Sequence, residues 1–562
     1  MSGRSLGVVL LGCLFGLTTT LATVVQAKEI ELQVGIVQRL GEEPIDEKEQ
    51  PINGLKISSI EGDLLTLNFP GQEQPSKSLQ TDSVVLQVQK KPVSEPVLSE
   101  RLVLSNHATF ETAEDSANLW KTLGIEVEIT QPERWQVWAK RDVYRTPLTR
   151  RWLLQSLQAN GYTTPYLETE VLTEVPQLVL LVKGKRYYPE EVEITASKNA
   201  VAVGIPNNPE STKLYGGSLR LQPNAYGNFT LVNQVPLETY LRGVVPHEIG
   251  ANAPAKAVEA QTIIARTYAL RNLRRFAADD YQLCATVHCQ VYEGLKGTTP
   301  QSDRAIAATK GLVLTYQKEL VDALYSSTTG GVTASFSDAW NGVERPYLKP
   351  RIDSPYPVWD LSRYSLADEA TFRRFISLKQ GFNETGRGVF RWHKESKIED
   401  LNRDLRKYLK RTNHPLADFE TIEQMKVKER SPSGRILTLS VKTDKGVVEL
   451  HKNEVRSAFE PPRSTLFYLE PIYDESKQLT AYAFIGGGFG HGVGLSQYGS
   501  YHLAKLGWSA EQILAFYYPE TTIEPLNESI VLWREPHTPL PSSTSSIGEA
   551  KESALVESLL PQ

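Results

Sequence analysis

Two helices separated by a break are predicted between residues 235 and 270, which read VPLETYLRGVVPHEIGANAPAKAVEAQTIIARTYAL. Pro236 suits a first helical turn, and apolar side chains then recur at i, i+3, i+4 and i+7. These side chains are Leu237, Tyr240, Leu241 and Val244. Asn252 is a predicted cap and Pro254 a predicted start for the second helix, so Glu248 is expected in an elbow between the two helices.

Glu248 is the candidate catalytic residue of this elbow. Its neighbours Pro246 and Ile249 would remove water from the carboxyl group. Desolvation disfavours the charged form and raises a carboxyl pKa toward neutrality, which suits a general acid. The alternative is a glutamate that only caps a helix or forms an ion pair.

Two stretches rich in glycine and hydroxyl groups are candidate ligand-binding loops. Residues 323–342 read ALYSSTTGGVTASFSDAWNG, and residues 485–500 read IGGGFGHGVGLSQYGS. Glycines let a ligand approach the main chain closely, but neither stretch has the spacing of a phosphate-binding P-loop. The candidate binding residues are Ser326, Ser327, Thr328, Gly330, Thr333, His491, Gln497 and Tyr498.

The stretch CATVHCQVY leaves three interpretations open for its two cysteines, Cys284 and Cys289. Export from the cytoplasm favours a disulfide between them. Zinc is the alternative, with Cys284, His288 and Cys289 as ligands and an aspartate or water as the fourth. Free thiols are the third interpretation.

The first 27 residues are predicted to form a cleaved export signal. Arg4 precedes an apolar run over residues 6–25, and Val25-Gln26-Ala27 offers small residues for cleavage before Lys28. A retained membrane anchor is the alternative, because the run is nearly long enough to span a bilayer. The mature chain is therefore expected in the periplasm or cell envelope, with transient membrane contact through the signal segment only.

The 562 residues predict more than one hydrophobic core and an α+β fold overall. Residues 28–100 alternate with period two and predict a small β-rich segment, whereas 101–190 predict an α+β accessory module. Residues 536–562 are rich in Ser, Pro and Glu and are predicted to be disordered. The net charge of −5 gives no electrostatic reason to expect a nucleic-acid partner.

Four motifs in order give residues 210–535 a resemblance to the SpoIID/LytB family. They are the two-helix stretch around Glu248, CATVHCQVYEG, YSSTTGGVTASFSDAW, and the stretch that begins GGGFGHGVGLSQYGS. A β-rich insertion at about 365–480 is similar to an inserted region of that family. The element order of the accessory module loosely resembles SPOR-type domains, which hold proteins on peptidoglycan.

The resemblance implies a protein that acts on peptidoglycan glycan strands. Members include lytic transglycosylases, which cleave between N-acetylmuramic acid and N-acetylglucosamine, and enhancers of cell-wall amidases. The family's catalytic glutamate matches Glu248, which would serve as both acid and base while the substrate's own 6-hydroxyl attacks and forms a 1,6-anhydro product. No cofactor is required, although zinc at the cysteines stays an alternative. A non-catalytic amidase enhancer and an exported scaffold without sugar affinity are the competing functions.

Overall fold

The computed structural model describes residues 29–42, 52, 54–70 and 77–534, and its helices and sheets confirm an α+β fold. The predicted export signal and the predicted disordered tail lie outside the described residues. None of the helices within these ranges is long and apolar enough to cross a membrane.

The N-terminal half is dominated by strands. The first five strands are β1 (Glu31–Leu40), β2 (Gly54–Ser59), β3 (Leu65–Phe69), β4 (Lys77–Thr81) and β5 (Ser83–His107). The accessory module then contributes α1 (Phe110–Thr122), β6 (Val127–Thr130), β7 (Trp135–Ala139), α2 (Pro147–Ala159), β8 (Tyr166–Val182) and β9 (Lys185–Tyr187). Five further strands follow, β10 (Val192–Ala196), β11 (Ala200–Ile205), β12 (Asn208–Gly216), β13 (Ser218–Pro223) and β14 (Phe229–Pro236).

A seven-stranded sheet unites distant parts of the chain in the order β15-β1-β14-β13-β10-β3-β4, where β15 is Leu283–Cys284. Strand β1 runs antiparallel to β14, with Glu31 opposite Pro236. Its period-two pattern places Leu32 and Val34 in the core, where both are fully buried. Strands from the β-rich segment 28–100 therefore share one sheet with strands that lead directly into the helix of Glu248.

The accessory module packs against the body of the protein through a shared hydrophobic core. Strands β5, β6 and β7 belong to an eight-stranded sheet, and β8 pairs along β5 as a long antiparallel ribbon. Phe110 of α1 and Trp135 of β7 lie in the same buried cluster as Ile263 and Ile264. This packing fixes the loop before α1 close to the helices that follow β14.

Helix α3 (Leu237–Ile249) includes Glu248 in its last turn and is followed by Gly250, whose φ is +83°. Helix α4 (Ala255–Arg271) begins after Pro254, which occupies the N-cap position without a side-chain cap. The prediction that Asn252 caps this helix is therefore wrong, because Asn252 lies two residues too early to accept from the first-turn amides. Glu248 therefore lies in the last turn of α3 and not in the loop between the two helices.

The remaining elements bring the two glycine-rich stretches together. They begin with α5 (Pro300–Ala308), β16 (Leu312–Tyr316), β17 (Glu319–Leu320) and β18 (Tyr325–Ser326). The last described elements are β25 (Leu495–Ser496), α9 (Gln497–Lys505), α10 (Ala510–Tyr517) and β26 (Thr522–Pro525). Strands β18 and β25 pair in parallel, with Ser326 opposite Ser496, so both candidate loops border the same region.

The predicted β-rich insertion contains two three-stranded sheets and a charged surface helix. Its elements are α6 (Glu369–Ser377), β19 (Arg391–Lys397), α7 (Ile398–Arg411), β20 (Ile422–Arg430), β21 (Ile436–Thr443), β22 (Gly446–His451), α8 (Glu454–Ala458), β23 (Phe467–Tyr473) and β24 (Leu479–Gly487). Helix α7 buries an apolar face that includes Leu401 and Leu405. The turn before α8 contacts the first glycine-rich stretch, where Asn453 donates to the carbonyl of Ala339 at 2.9 Å.

Candidate active site

Glu248 is held at the end of α3 by contacts from three segments. Its carboxylate oxygen Oε1 accepts a hydrogen bond from the backbone amide of Val291 at 2.7 Å. Gln497 donates to its backbone carbonyl at 2.8 Å. Beside it, Gln290 links the hydroxyl groups of Tyr240 and Tyr325 at 3.2 and 3.1 Å. The Glu248 side chain is therefore oriented by polar groups that are themselves fixed.

Burial raises the pKa of the Glu248 carboxyl from 4.5 to about 7. The Val291 amide and the neighbouring Tyr325 and Gln497 favour the charged form, but they oppose burial only partly. None of the groups that shift this pKa is a cation, and Glu248 makes no ion pair among the described residues. The alternative that Glu248 forms an ion pair is therefore wrong for the described structure.

Glu248 borders a cavity of about 500 Å³, which we call the Glu248 cavity. Four of the residues predicted to bind substrate also line it, namely Ser326, Ser327, His491 and Gln497. Ser326 is buried, and its hydroxyl has no hydrogen-bond partner among the described residues, so it is free to bond a ligand. His491 packs on Trp340 with ring centroids 4.9 Å apart, and burial lowers its pKa to about 3, which keeps it neutral.

The other four predicted binding residues do not line the Glu248 cavity. Thr328, Gly330 and Thr333 are buried behind it, where the Thr333 hydroxyl donates to the carbonyl of Lys349 at 3.1 Å. The Tyr498 ring instead packs under the guanidinium of Arg387, 4.4 Å from the ring centroid. Their positions indicate that these four residues support the cavity wall and do not contact a ligand in this cavity directly.

A buried carboxylate, Glu384, organises the loop of residues 328–331, which we call the Thr-Gly loop. It accepts hydrogen bonds from the amides of Gly330 and Gly331 at 2.9 and 3.2 Å. It also accepts from the Ser496 hydroxyl at 2.5 Å. Burial, together with the charge of Asp353, raises the pKa of Glu384 to about 8. Glu384 therefore connects the first glycine-rich stretch to Ser496, the residue before α9, through hydrogen bonds.

Comparisons with known proteins show which families and relatives the chain is similar to. Residues 225–316 match the family described as "Stage II sporulation protein", and residues 334–494 match a domain of unknown function, DUF8618. The chain is 30% identical over 371 residues to a Bacillus subtilis protein named "Amidase enhancer" and spans 48% of that protein's length. It is 26% identical over 380 residues to the Bacillus subtilis "Stage II sporulation protein D", of which it spans 92%.

Residues 225–316 are therefore a SpoIID family domain, and the chain is similar to SpoIID/LytB proteins. The family domain at 225–316 contains α3, α4 and the cysteine stretch, and therefore includes Glu248 and Val291. The second glycine-rich stretch lies outside that match, although its first ten residues fall in the DUF8618 match. The accessory module lies outside both matches.

Within the SpoIID domain, Cys284 and Cys289 form a disulfide, one of the three alternatives left open by the sequence. Zinc binds cysteine as thiolate, and a disulfide sulfur is no longer a thiolate, so this oxidised form does not offer the predicted Cys284–His288–Cys289 site. Within the described ranges, no group of three His, Cys, Asp or Glu side chains is arranged to bind a metal ion. The disulfide lies two residues before Val291 and therefore constrains the segment that bonds Glu248.

Several residues of the cavity had no signal in the sequence. Arg456 lines the Glu248 cavity, and its buried Nε has no partner among the described residues. Phe110, Glu111 and Trp135 of the accessory module line it as well. A residue pattern reports on neighbours along one helix or strand, so it gave no indication that a separate module would form a wall of the cavity.

Proposed function

We propose that this protein is an exported lytic transglycosylase that cleaves peptidoglycan glycan strands, with Glu248 as the single acid and base. The observation that carries the proposal is a carboxyl with a pKa of about 7, free of any ion pair in the described structure, on the wall of a cavity. A group that titrates near neutrality can both donate and accept a proton at working pH. The SpoIID domain and the relative named "Amidase enhancer" support a role at the cell wall.

The mechanism needs one carboxyl group because the substrate supplies the nucleophile. Protonated Glu248 donates its proton to the glycosidic oxygen as the bond from that oxygen to C1 of N-acetylmuramic acid breaks. The 6-hydroxyl of the same sugar forms a new bond to C1, and its proton passes to the Glu248 carboxylate. The products are a 1,6-anhydro end and a free 4-hydroxyl on the departing N-acetylglucosamine, and Glu248 is restored to its protonated form.

The other carboxylate on the cavity wall supports this assignment. An ordinary glycosidase uses a second carboxylate to activate water or attack the sugar. Besides Glu248, the cavity is lined by Glu111, which forms an ion pair with the buried guanidinium of Arg275. That pairing occupies the Glu111 carboxylate, so Glu248 is the carboxyl available for proton transfer.

Product analysis tests the proposal. Purified glycan strands are incubated with the mature protein and the products are examined by mass spectrometry. We expect 1,6-anhydromuramyl ends, and we expect the Glu248→Gln variant to lose at least about a hundredfold in rate because it has no proton to donate. Glu259→Gln is the matched control, since Glu259 lies on α4 in an exposed ion pair with Lys256. Reducing ends, or full activity in Glu248→Gln, would contradict the mechanism.

A non-catalytic amidase enhancer is the second candidate, favoured by the name of the 30% identical relative. In that function the cavity binds glycan while a separate N-acetylmuramoyl-L-alanine amidase performs the cleavage. Adding the Glu248→Gln variant to such an amidase with intact sacculi separates the two functions. Faster release of stem peptides without new anhydro ends would favour the enhancer. Failure to sediment with sacculi would favour a scaffold without affinity for sugar.

A further inference from the structure

A second cavity, of about 460 Å³, adjoins the Glu248 cavity. Three residues line both cavities, namely Ala108, Thr109 and Asn453. The two spaces are therefore neighbouring parts of one depression, separated by a few shared side chains. Most of the second cavity lies outside the match to the SpoIID domain, between the accessory module and the insertion.

Two opposing walls enclose the second cavity. One is the segment that joins β5 to α1, from His107 to Thr112, which we call the accessory loop. The other is the turn from His451 to Asn453 with the start of α8. Lys452, which lines this cavity, donates to the Trp340 carbonyl and the Asn341 side chain at 2.8 and 2.7 Å. These contacts connect the wall around α8 to Trp340, which also lines the Glu248 cavity.

The accessory wall is fixed to the body of the protein by ion pairs of α1. Arg274 binds Glu114 through two hydrogen bonds at 2.5 and 2.8 Å, and Arg275 binds Glu111. The Arg275 guanidinium also lies 4.6 Å from the centroid of the Phe110 ring. Bidentate and partly buried arginine pairs of this kind orient the groups that they join. The groove between the walls is therefore formed before a ligand arrives.

The chemistry of the second cavity suits an uncharged polar polymer. Hydroxyl, amide and imidazole groups line it, including Thr112, Asn341 and His451. Its one lysine already bonds to protein oxygens, and two carboxylates, Glu429 and Glu454, face the same space. Those carboxylates would accept hydrogen bonds from sugar hydroxyl or acetamido groups, and they would repel the carboxylates of a stem peptide.

We propose that the two cavities form one extended groove and that the second cavity binds N-acetylated sugar units of the same glycan strand, beyond the bond held at Glu248. The accessory module is then part of the substrate site, as its second wall. This inference rests on the proposed function for the identity of the polymer. It adds a binding site, a module and a dependence on strand length that the proposed function does not require.

Binding measurements in the Glu248→Gln background test the groove without any catalysis. The probes are glycan oligosaccharides freed of stem peptides, one short enough for the Glu248 cavity alone and one several disaccharides longer, studied by calorimetry. We expect the longer probe to bind more tightly. Replacing Glu429 and His451 with alanine removes two exposed partners of the second cavity. We expect about tenfold weaker binding of the long probe and little change for the short one.

Glu423→Ala is the matched control, because Glu423 lies on the same strand β20 but pairs with Lys442 outside the cavity. Ala108→Trp is a second test, since it adds bulk where the two cavities meet; it should remove the advantage of the long probe. Equal affinity for both probes in the parent protein would overturn the inference. Tighter binding of a strand that retains its stem peptides would also overturn it, and would indicate a peptide site instead.

The outcomes distinguish this inference from the proposed function. Length-dependent binding together with an absence of anhydro products would leave the groove in place and remove the transglycosylase. Anhydro products without length-dependent binding would keep the enzyme and remove the extended groove.

Discussion

At Glu248 burial and hydrogen bonding act on the same carboxyl group in opposite directions. Loss of water raises its pKa, whereas the Val291 amide, Tyr325 and Gln497 lower it, and the balance lies at about 7. A stronger set of donors would hold the group as a permanent carboxylate. A fully apolar site would hold it as a permanent acid. The mixture of both produces a group that can exchange its proton.

The pH dependence of cleavage follows from this balance. The free enzyme must hold the proton to donate it, so we expect kcat/KM on short glycan strands to fall as pH rises through about 7. The decline should have the slope of a single titrating group. Glu259→Gln should leave the profile unchanged. A profile that is flat from pH 6 to pH 8.5 would contradict the role of Glu248 as the acid.

The same group makes a prediction for stability. Because its pKa is 4.5 in the unfolded chain and about 7 in the folded protein, the folded state retains a proton that the unfolded state releases. Its contribution is fully present below pH 4.5 and is lost as pH rises through about 7, at a cost on the order of 1 to 3 kcal/mol. The Glu248→Gln substitution removes the titrating group, and with it this pH-dependent loss of stability, at nearly constant side-chain volume.

Urea denaturation measures this effect. We expect the Glu248→Gln variant and the parent protein to have nearly the same free energy of unfolding at about pH 4, below the unfolded pKa of 4.5. At pH 8.5 the variant should be the more stable of the two. Equal stability at both pH values would show that the carboxyl group of Glu248 is not desolvated.

At the scale of single elements, the Thr-Gly loop combines a positive φ angle at Gly330 with close packing around that residue. Gly330 has φ of +74°, and a Cβ added there would lie 2.6 Å from Leu466 and 2.7 Å from the carbonyl carbon of Gly487. Its amide also donates to Glu384. The loop therefore has little room to change conformation, and this rigidity extends to the neighbouring Ser326 and Ser327.

Gly330→Ala should lower the free energy of unfolding by about 3 kcal/mol, through left-handed strain and overpacking together. Gly311→Ala is the matched control, because Gly311 has φ of +72° but nothing within 4 Å of an added Cβ. We expect that control to cost about 1 kcal/mol. Chemical denaturation of both variants measures the difference. Similar losses would mean that the packing around Gly330 is looser than the structure shows.

The disulfide constrains the segment that positions Val291. Closing a loop of this short length stabilises a protein by about 2 kcal/mol in the chain-entropy model. Mass spectrometry of the intact protein after thiol blocking should show Cys284 and Cys289 unlabelled. Replacing both with serine should lower the melting temperature and reduce cleavage, since the amide that bonds Glu248 becomes less restricted. Labelled thiols in the exported protein would contradict the disulfide and reopen the zinc alternative.

At the scale of the whole molecule, the N-terminal strand is part of the sheet that supports the site. Strand β1 lies between β14 and β15, and thus joins the strand before α3 to the cysteine segment. Two of its side chains, Leu32 and Val34, are fully buried. Burial of one such side chain contributes about 1.5 to 3 kcal/mol, a large share of the stability of an average domain.

Deletion of residues 28–41 should therefore prevent cooperative folding, even though this segment is about 200 residues away from Glu248 in the sequence. Circular dichroism during heating measures the transition. Deletion of residues 540–562 is the control, because their composition predicts no packed structure. A cooperative transition in the first deletion would show that β14 can be completed by another strand.

The sequence determined those features that depend on local pattern. The apolar spacing after Pro236 predicted α3, and the motif order predicted the SpoIID resemblance and singled out Glu248, which lies on the wall of a cavity. The disulfide was one of the alternatives that the sequence left open. These features are readable because a helix, a turn or a short motif is specified by residues close together in the chain.

Only the tertiary structure decided which segments meet. It placed β1 beside β14, Glu384 under the Thr-Gly loop, and the accessory loop across from α8, none of which has a local signature. It also separated Ser326, Ser327, His491 and Gln497, which line the Glu248 cavity, from Thr328, Gly330, Thr333 and Tyr498, which do not. The physical reason is that strand pairing and buried hydrogen bonds join residues hundreds of positions apart, and those contacts are selected by the packing of the whole chain.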